Sequence, residues 1–585
     1  MGLMSRAKLI FCTLFVLVVL VGTQAWATNW YVIPDQGPSH QHGNGLYFET
    51  AWNGFKSIQW HSDELVTDIL FLVLFCVLTS VTLVKWRRFG RLIGVLLVIL
   101  GLSSIVWATD WYVRPSGGSY GDEDGTSYAD AWDGFSNIVW GTGGVEAGDT
   151  LWVCGIHNIT AQFTVGTSGN SGFPITIRGD YSSDPGIIDG QATVDQCIIA
   201  SSKSYLTFKA LTVQNSGIHG IHLIGSSNVI IDGCTATNNH TYGITINSGS
   251  SDITIQNCSI HSNGTDGTTS YGVYGLDFSH DIIIKDCVIY NNSNFAGNDG
   301  GGCVFTSGTN TVLVQNCSIY SNGDKASDGS GVETLDADHV TVKQCVIYDT
   351  FGGVEVRGED STNYPNSSDY FTLENCLIYN VAAGVTCGEY PLGSGQDTEY
   401  GIFRNNTIVV SGQCRGFYLY SPNQEVKNNI IYIEAAGLGA FYWEGLTKAE
   451  ISACTVDYND IYLESGATQY YATANPSDGD STNYSTISDW RVDYSGHAAN
   501  SIDSDPLFLD PSGTSNFHLR PTSPCIDAGT PISSVTQDLD GHRRPIGLTW
   551  DIGAYEYLIT KGWKMAPFEN NPWSTSPWGM SPWSH

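Results

Sequence analysis

The chain has 585 residues, of which 14% are charged, and 25 basic residues face 58 acidic ones for a net charge of −33. Residues 109–585 hold 18 of the basic and 53 of the acidic residues, so this body repels nucleic acid and anionic membrane surfaces. An acidic polysaccharide would approach only across a bridging divalent cation, whereas a neutral glycan meets no such barrier.

Residues 1–28 read as a secretory signal: Arg6 and Lys8, an apolar run from Leu9 to Val21, then Ala25-Trp26-Ala27 as a small-residue cleavage pattern. Thr28-Asn29-Trp30-Tyr31-Val32, Ala51-Trp52-Asn53-Gly54-Phe55 and Ile58-Gln59-Trp60 follow, within 29–64. The same order then recurs. Lys85–Arg91 precede an apolar run from Leu92 to Val106, and Thr109-Asp110-Trp111-Tyr112-Val113, Ala131-Trp132-Asp133-Gly134-Phe135 and Ile138-Val139-Trp140 come after it. A signal and the start of a domain are duplicated, and the first copy is truncated. Two readings of 65–108 stand side by side. In one, 65–84 and 92–108 form a membrane hairpin with Lys85–Arg91 in the cytoplasm. In the other, Val84–Ala108 is a complete second signal peptide. Both place the body outside the cytoplasm, and the first predicts membrane association through these segments.

After a cap and first windings over 109–200, one pattern recurs through 201–465. It runs Val229-Ile-Ile-Asp-Gly-Cys234, Ile253-Thr-Ile-Gln-Asn-Cys258, Ile282-Ile-Ile-Lys-Asp-Cys287, Val312-Leu-Val-Gln-Asn-Cys317, Val340-Thr-Val-Lys-Gln-Cys345 and Phe371-Thr-Leu-Glu-Asn-Cys376. The cysteine steps are 24, 29, 30, 28 and 31 residues, and Asn406 and Asn429 then continue the column. A second apolar strand follows in each repeat, usually opened by Gly, as in Gly220-Ile-His-Leu, Gly331-Val-Glu-Thr and Gly353-Val-Glu-Val.

Short alternating strands between Asn, Gly and Ser turns, without helical periodicity, predict an all-β fold. A repeat this short buries its core only by stacking, so the expectation is a right-handed parallel β-helix of about eight to ten coils. At ~4.8 Å per coil that is a rod of roughly 40–50 Å. In-register stacking holds neighbouring cysteines parallel and too far apart for disulfides, which predicts a reduced, buried thiol ladder. The Asn or Asp before many of these cysteines suits a left-handed bend. No CxxC pair is present, which argues against a zinc knuckle. Residues 466–557 are expected to add C-terminal coils and a cap, with 500–557 closing the far end. Residues 558–585 carry Pro572-Trp573, Pro577-Trp578 and Pro582-Trp583, and read as an unstructured tail or an aromatic docking segment.

These repeats resemble secreted right-handed β-helix proteins of the pectate-lyase-like superfamily. The segment with Asp505-Pro-Leu-Phe508, Ser523-Pro-Cys-Ile-Asp527-Ala-Gly529, Asp538-Leu-Asp-Gly541, Arg544-Pro545 and Asp551-Ile-Gly-Ala-Tyr-Glu556 resembles the choice-of-anchor Q type of C-terminus. The resemblance spans roughly 109–557 and implies a secreted or cell-surface protein that binds, and in its enzymatic members cleaves, extracellular polysaccharide. The Asn-Thr-Asp, Asp-Asp and Gly-His-Gly motifs of polygalacturonase-like hydrolases are missing.

Aligning the Gly-opened strands puts one outward residue per coil in a common column. It reads His222, Thr245, Asp277, Val304, Glu333, Glu355, Thr386 and Tyr418, with Arg357 and Tyr420 two residues further on; Asp277 is included on the assumption that Gly275 opens its strand. Stacked Glu333 and Glu355 repel unless Arg357 or a cation neutralises them, so Asp277, Glu333 and Glu355 are the candidate Ca²⁺ ligands, with loop oxygens from Asp299 or Asp328. Long turns cross the same coils, and one carries Lys325. A polysaccharide lyase built here would use Lys325 as base, with Arg357 or calcium stabilising the enolate-like charge. Asp324 and Asp328 work against such a base by favouring protonated Lys325. His222, Tyr418 and Tyr420 are the candidate substrate-binding residues, because outward rings suit sugar faces. The alternative reading is a non-catalytic structural or adhesive surface protein with a solvated acidic face. The Asp538-Leu-Asp-Gly541 turn reads as a capping turn, with calcium binding as the alternative.

Overall fold

A computed structural model describes residues 108–558 apart from 266, 268, 293–299, 324–328, 359–367, 389–399, 413, 435–437, 465–468, 475–481 and 513. The signal-like, duplicated and apolar segments of 1–107 and the Pro-Trp tail lie outside the described residues. Among those described, no helix is long and apolar enough to cross a membrane.

Three strands make each winding. Equivalent strands pair in parallel into sheets of 14, 12 and 13 strands, in which neighbours through the body are three strands apart in chain order; the last strand of the third sheet, Asn483–Tyr484, pairs antiparallel. Sheet 1 holds the strands that precede the cysteines, such as His280–Lys285. Sheet 2 holds the short strands after them, such as Val288–Tyr290, and sheet 3 the Gly-opened strands, such as Ser330–Leu335. Core positions stay in register from winding to winding in sheet 1, where Ile255 pairs with Ile284 and Ile284 with Val314; in sheet 2 the register shifts once, between Ile378 and Val381.

The 12 strands of sheet 2 correct the expected eight to ten coils. The additional windings lie before Ser204 and after Thr455, where sheet 2 still has strands at Ile156–Asn158, Ile187–Asp189 and Asp460–Leu463. There stacking alone keeps the register, without the Cys and Gly markers. Twelve windings span roughly 50 Å.

From Ala210 onward each bend from sheet 1 to sheet 2 turns on a left-handed residue, among them Asn257, Asp286, Asn316 and Asn375, with φ of 53° to 58°. Asn and Asp tolerate that region because their side chains bond locally. The next residue points inward. Among the described residues all 13 cysteines are free, and Cys258, Cys287 and Cys317 are buried. The Cys258 thiol donates to the Ile231 carbonyl of the previous winding at 3.5 Å, and Cys287 does the same to Ile255 at 3.7 Å. From Asn406 onward an amide takes this place. Asn406 Nδ2 donates to the Leu373 carbonyl and to Asn429 Oδ1, and Asn429 Nδ2 to the Phe403 carbonyl and to Asn459 Oδ1, all near 2.9–3.0 Å.

A glycine is required where sheet 3 begins. A Cβ on Gly302 would sit 2.5 Å from both the Gly331 carbonyl oxygen and Ile319 Cγ2, and one on Gly384 would sit 2.4 Å from the Gly416 carbonyl oxygen. From Gly220 to Gly416 the windings approach each other too closely at this corner for a side chain, whereas Cys197 and Ala440 occupy it in the windings on either side.

Both ends of the stack are closed by aromatic rings. Trp132 stacks on Trp111 at 5.1 Å and Phe135 on Phe163 at 4.3 Å, so the described copy of the duplicated motif forms the N-terminal cap. At the other end Trp490, on the helix Ile487–Asp493, stacks on Tyr471 at 4.3 Å. Backbone bonds from Ala498 and Ile502 to Val456 and Asn459 complete that closure. The expectation that 500–557 closes this end is therefore corrected for most of its length. Residues 505–557 run back along the flank of sheet 2, where Phe508, Phe517, Leu519, Ile552 and Tyr555 pack on Leu377, Val409 and Ile430. Fully buried Arg544 anchors the segment: it pairs with Glu556 at 2.8 Å and donates to Asn375 Oδ1 at 3.0 Å. Asn428 exchanges two 2.8 Å bonds with Thr530.

Candidate functional site

The outer face of sheet 3 carries the candidate column, and the pairing fixes its membership. His222 pairs with Thr245, Thr245 with Tyr274, Tyr274 with Val304, Val304 with Glu333, Glu333 with Glu355, Glu355 with Thr386, and Thr386 with Tyr418. Tyr442 follows Tyr418. Every sequence-based member is in place except Asp277. Its strand is Ser270–Gly275, with Gly272 in the glycine corner, and Asp277 sits in the turn beyond the strand at φ 55°. Gly275 is small for a different reason: its Cβ would meet Phe305 of the next winding at 2.9 Å. Asp277 is thus removed from Glu333 and Glu355 as a shared ligand set, and Tyr274 takes its position. Lys325, Asp299, Asp324 and Asp328 lie outside the described residues.

Arg357 bridges the two stacked carboxylates. Its Nη2 lies 2.6 Å from Glu333 Oε1 and its Nε 3.1 Å from Glu355 Oε1, while Ser330 Oγ donates to Glu355 Oε2 at 3.0 Å. Glu333 is 7% exposed, so its charge would be costly without this partner. Alternation along Gly352–Arg357 puts Glu355 and Arg357 on the same face, and register puts Glu333 one winding below.

A second column, three residues before the first, gives the face its relief. His219 pairs with Tyr242; further along, Tyr271 pairs with Gly301, Gly301 with Ser330, Ser330 with Gly352 and Gly352 with Ala383; then Arg415 pairs with Gly439. Four small residues therefore lie between Tyr271 on one side and Arg415 on the other. Tyr271 and Tyr274 are 4.9 Å apart, and the Arg415 guanidinium stacks over Tyr442 at 4.4 Å. Half-buried aromatics therefore flank a stretch of small residues that is itself buried, with Ser330 at 2% and Ala383 at 6% exposure, beside Val304, the Glu333–Arg357–Glu355 trio and Thr386; we call this stretch the trough.

Tyr418 lines one wall, and burial raises its hydroxyl pKa to about 12. Tyr420 is 8% exposed, so the expectation of an outward ring fails there; it shares a column with Glu444, and its hydroxyl bonds that carboxylate. His222 is also largely covered, at 7% exposure. It stacks on His219 at 4.1 Å, and neither of its ring nitrogens has a partner in hydrogen-bonding geometry. Burial lowers its pKa, with partial relief from Asn247. Burial and the neighbouring His222 lower His219 to about 3, so both rings are neutral at pH 7. His219 Nδ1 lies 2.7 Å from Thr245 Oγ1.

Elsewhere among the described residues, Asp538, Asp540 and His542 bring their ligand atoms together. Buried Asp538 already accepts from the His542 and Glu556 backbone N–H groups at 2.7 and 3.0 Å, the pattern of the capping turn. Trp443 belongs to the core at 1% exposure.

The family model described as "Right handed beta helix region" matches residues 196–364 and 302–476. The body of this chain is a right-handed parallel β-helix. No curated protein matches it in sequence. Among solved structures, the β-helix is similar to pectate lyase Pel9A, with 19% identity over 78% of this chain and 98% of that one and a TM-score of 0.46. It is also similar to an alginate lyase from Paenibacillus sp. str. FPU-7, with 18% identity over 48% of this chain and 91% of that one and a TM-score of 0.36. The A-module of the Azotobacter vinelandii mannuronan C-5 epimerase AlgE6 is 14% identical over 61% of this chain and 91% of its own, with a TM-score of 0.44. These are likenesses of winding and leave the chemistry of this β-helix to its own residues.

Proposed function

We propose that this chain is an exported polysaccharide-binding protein whose binding surface is the trough on sheet 3. The observation that supports this is the column Gly301, Ser330, Gly352, Ala383, small at four successive windings and flanked by Tyr271 and Tyr274 on one side and Arg415, Tyr418 and Tyr442 on the other. Aromatic walls suit sugar faces, and the partly exposed Arg357 and Glu355 side chains offer hydrogen bonds to hydroxyls. Arg357 and Arg415 balance the two carboxylates, so the strongly acidic body decides, and a neutral glycan fits better than a uronate polymer. Export rests on residues 1–28 and 84–108, and a surface location on the same segments together with the anchor-like C-terminus.

Affinity electrophoresis in gels containing neutral or uronate polysaccharides tests this reading. At least one neutral polymer should retard the protein, and Tyr418→Ala with Tyr442→Ala should weaken retention about tenfold, the loss of roughly 1.4 kcal/mol. Unretarded migration in every gel would end the proposal.

The enzymatic version is a calcium-assisted lyase with Lys325 as base and Arg357 or Ca²⁺ at Glu333 and Glu355 beside the substrate carboxylate. It requires Arg357 to exchange a glutamate for the substrate, or calcium to displace Arg357, since the guanidinium is already engaged. That engagement favours binding without cleavage. Release of unsaturated product from a uronate polymer, dependent on calcium and lost in Lys325→Ala, would instead establish the lyase.

A further inference from the structure

A second feature lies on the turns between sheets 2 and 3, away from the trough. The turn after Ile187–Asp189 and the one carrying Thr265 stand on either side of two shorter turns, at Asn215 and at Asn238. A hollow of about 450 Å³ opens between them, lined by Asp189, Gln191, Ala192, Asn215, Asn238, His240 and Thr265. Six of the seven lining residues are polar in type, and among the described residues Asp189, at 7% exposure, is the only carboxylate in the lining.

Asp189 organises the amides around it. Its Oδ2 accepts from Gln214 Nε2 at 2.7 Å and from Asn215 Nδ2 at 2.9 Å, and its Oδ1 accepts from the Gln191 backbone N–H at 2.9 Å. The Gln191 side chain in turn donates Nε2 to Asn158 Oδ1 at 3.1 Å. Burial opposes ionisation of Asp189, but these hydrogen bonds outweigh it and hold the carboxyl below its ordinary range. With their N–H₂ ends committed, Asn215 and Gln191 keep their amide oxygens as free acceptors, and Asn238, His240 and Thr265 add adaptable polar groups. Such a lining complements a ligand rich in hydroxyl donors. Anions are disfavoured by Asp189, while the carbon atoms of the lining side chains supply the apolar contact that a sugar ring also makes.

We propose that this hollow binds a sugar residue of a neutral glycan through the amides that Asp189 orders. The hollow lies on other residues than the trough, so either can bind without the other. Gln191 and Asn238 have φ of 53° and 55°, so glycine at either position keeps the backbone while removing the side chain.

Saturation-transfer NMR on the full chain tests the site with the methyl glycosides of glucose, galactose, mannose, xylose and N-acetylglucosamine. At least one glycoside should show transfer, reduced several-fold in the Gln191→Gly/Asn238→Gly variant, whose melting temperature should stay near that of the parent. Transfer from none of the panel, or transfer undiminished in the variant, would overturn the proposal. Calcium chloride supplies the competing arm: heat of calcium binding that disappears in Asp189→Asn, with displacement of the glycoside, would make the hollow a cation site and also overturn it.

Discussion

The bend between sheets 1 and 2 is built with two chemistries. From Cys234 to Cys376 a thiol fills the inward position, and from Asn406 to Asn459 an amide does. Both reach the same target, the carbonyl of the previous winding. A thiol is a weak donor in an apolar slot and meets its neighbouring thiols only through weak bonds, whereas each amide bonds the next at 2.9–3.0 Å and forms a continuous chain. The amide windings are also where residues 505–557 dock, through Asn405, Asn428 and Thr407. One geometric slot therefore serves packing in one region and a polar network beside a docked segment in the other.

Replacing Arg544 by Ala should give the largest effect. It leaves Glu556 buried without its partner, so about 3–5 kcal/mol of stability should be lost. Denaturant unfolding measures the loss, and proteolysis should cut within 505–557 first. A loss under about 1 kcal/mol would mean that the flank is not held by this pair.

Asn429→Ala against Cys317→Ala tests the comparison itself. The amide variant strands buried carbonyls and a neighbouring amide, and should cost about 2–4 kcal/mol. The thiol variant removes a small apolar group and should cost about 1 kcal/mol. Equal costs would show that the two ladders are energetically interchangeable. In the trough, Arg357→Gln should cost about 1–3 kcal/mol by freeing the repulsion between buried Glu333 and Glu355, again read by denaturant melts.

The flank should also respond to pH. Burial raises Asp460 to about 7 and Asp551 to about 6, above the ordinary carboxylate value. Both are protonated more readily folded than unfolded, so their contribution is greatest below pH 4 and is lost as pH rises towards 7. Melting temperature should fall between pH 5 and pH 8, and Asp460→Asn should flatten the slope. The smallest effect concerns the ladder thiols, which burial pushes well above their ordinary pKa. Cys287 and Cys317 should resist alkylation at pH 8 until the protein is unfolded, with mass spectrometry as the readout.

Much of the helix was legible in the residues. The cysteine column, its reduced state, the Asx bends and the Gly-opened strands all follow from one spacing. The Glu333–Glu355 stack with Arg357 above it followed from the period-two alternation of two strands. The miss at Asp277 is instructive because a usable signal was present. Gly220, Gly243, Gly302 and Gly331 precede the next column cysteine by 14 or 15 residues; Gly272 does so by 15 and Gly275 by 12. Choosing by forward spacing would have selected Gly272 and brought Tyr274 into the column.

The sequence by itself determined the winding, because a repeat repeats its own environment and each residue type reports a position in the coil. Tertiary structure alone decided which way 505–557 runs, how far Tyr420 and His222 are covered, and that small residues at Gly301, Ser330, Gly352 and Ala383 line up as a trough. Those depend on contacts between residues distant in sequence and on the net burial left by several windings together. Local pattern carries no record of either.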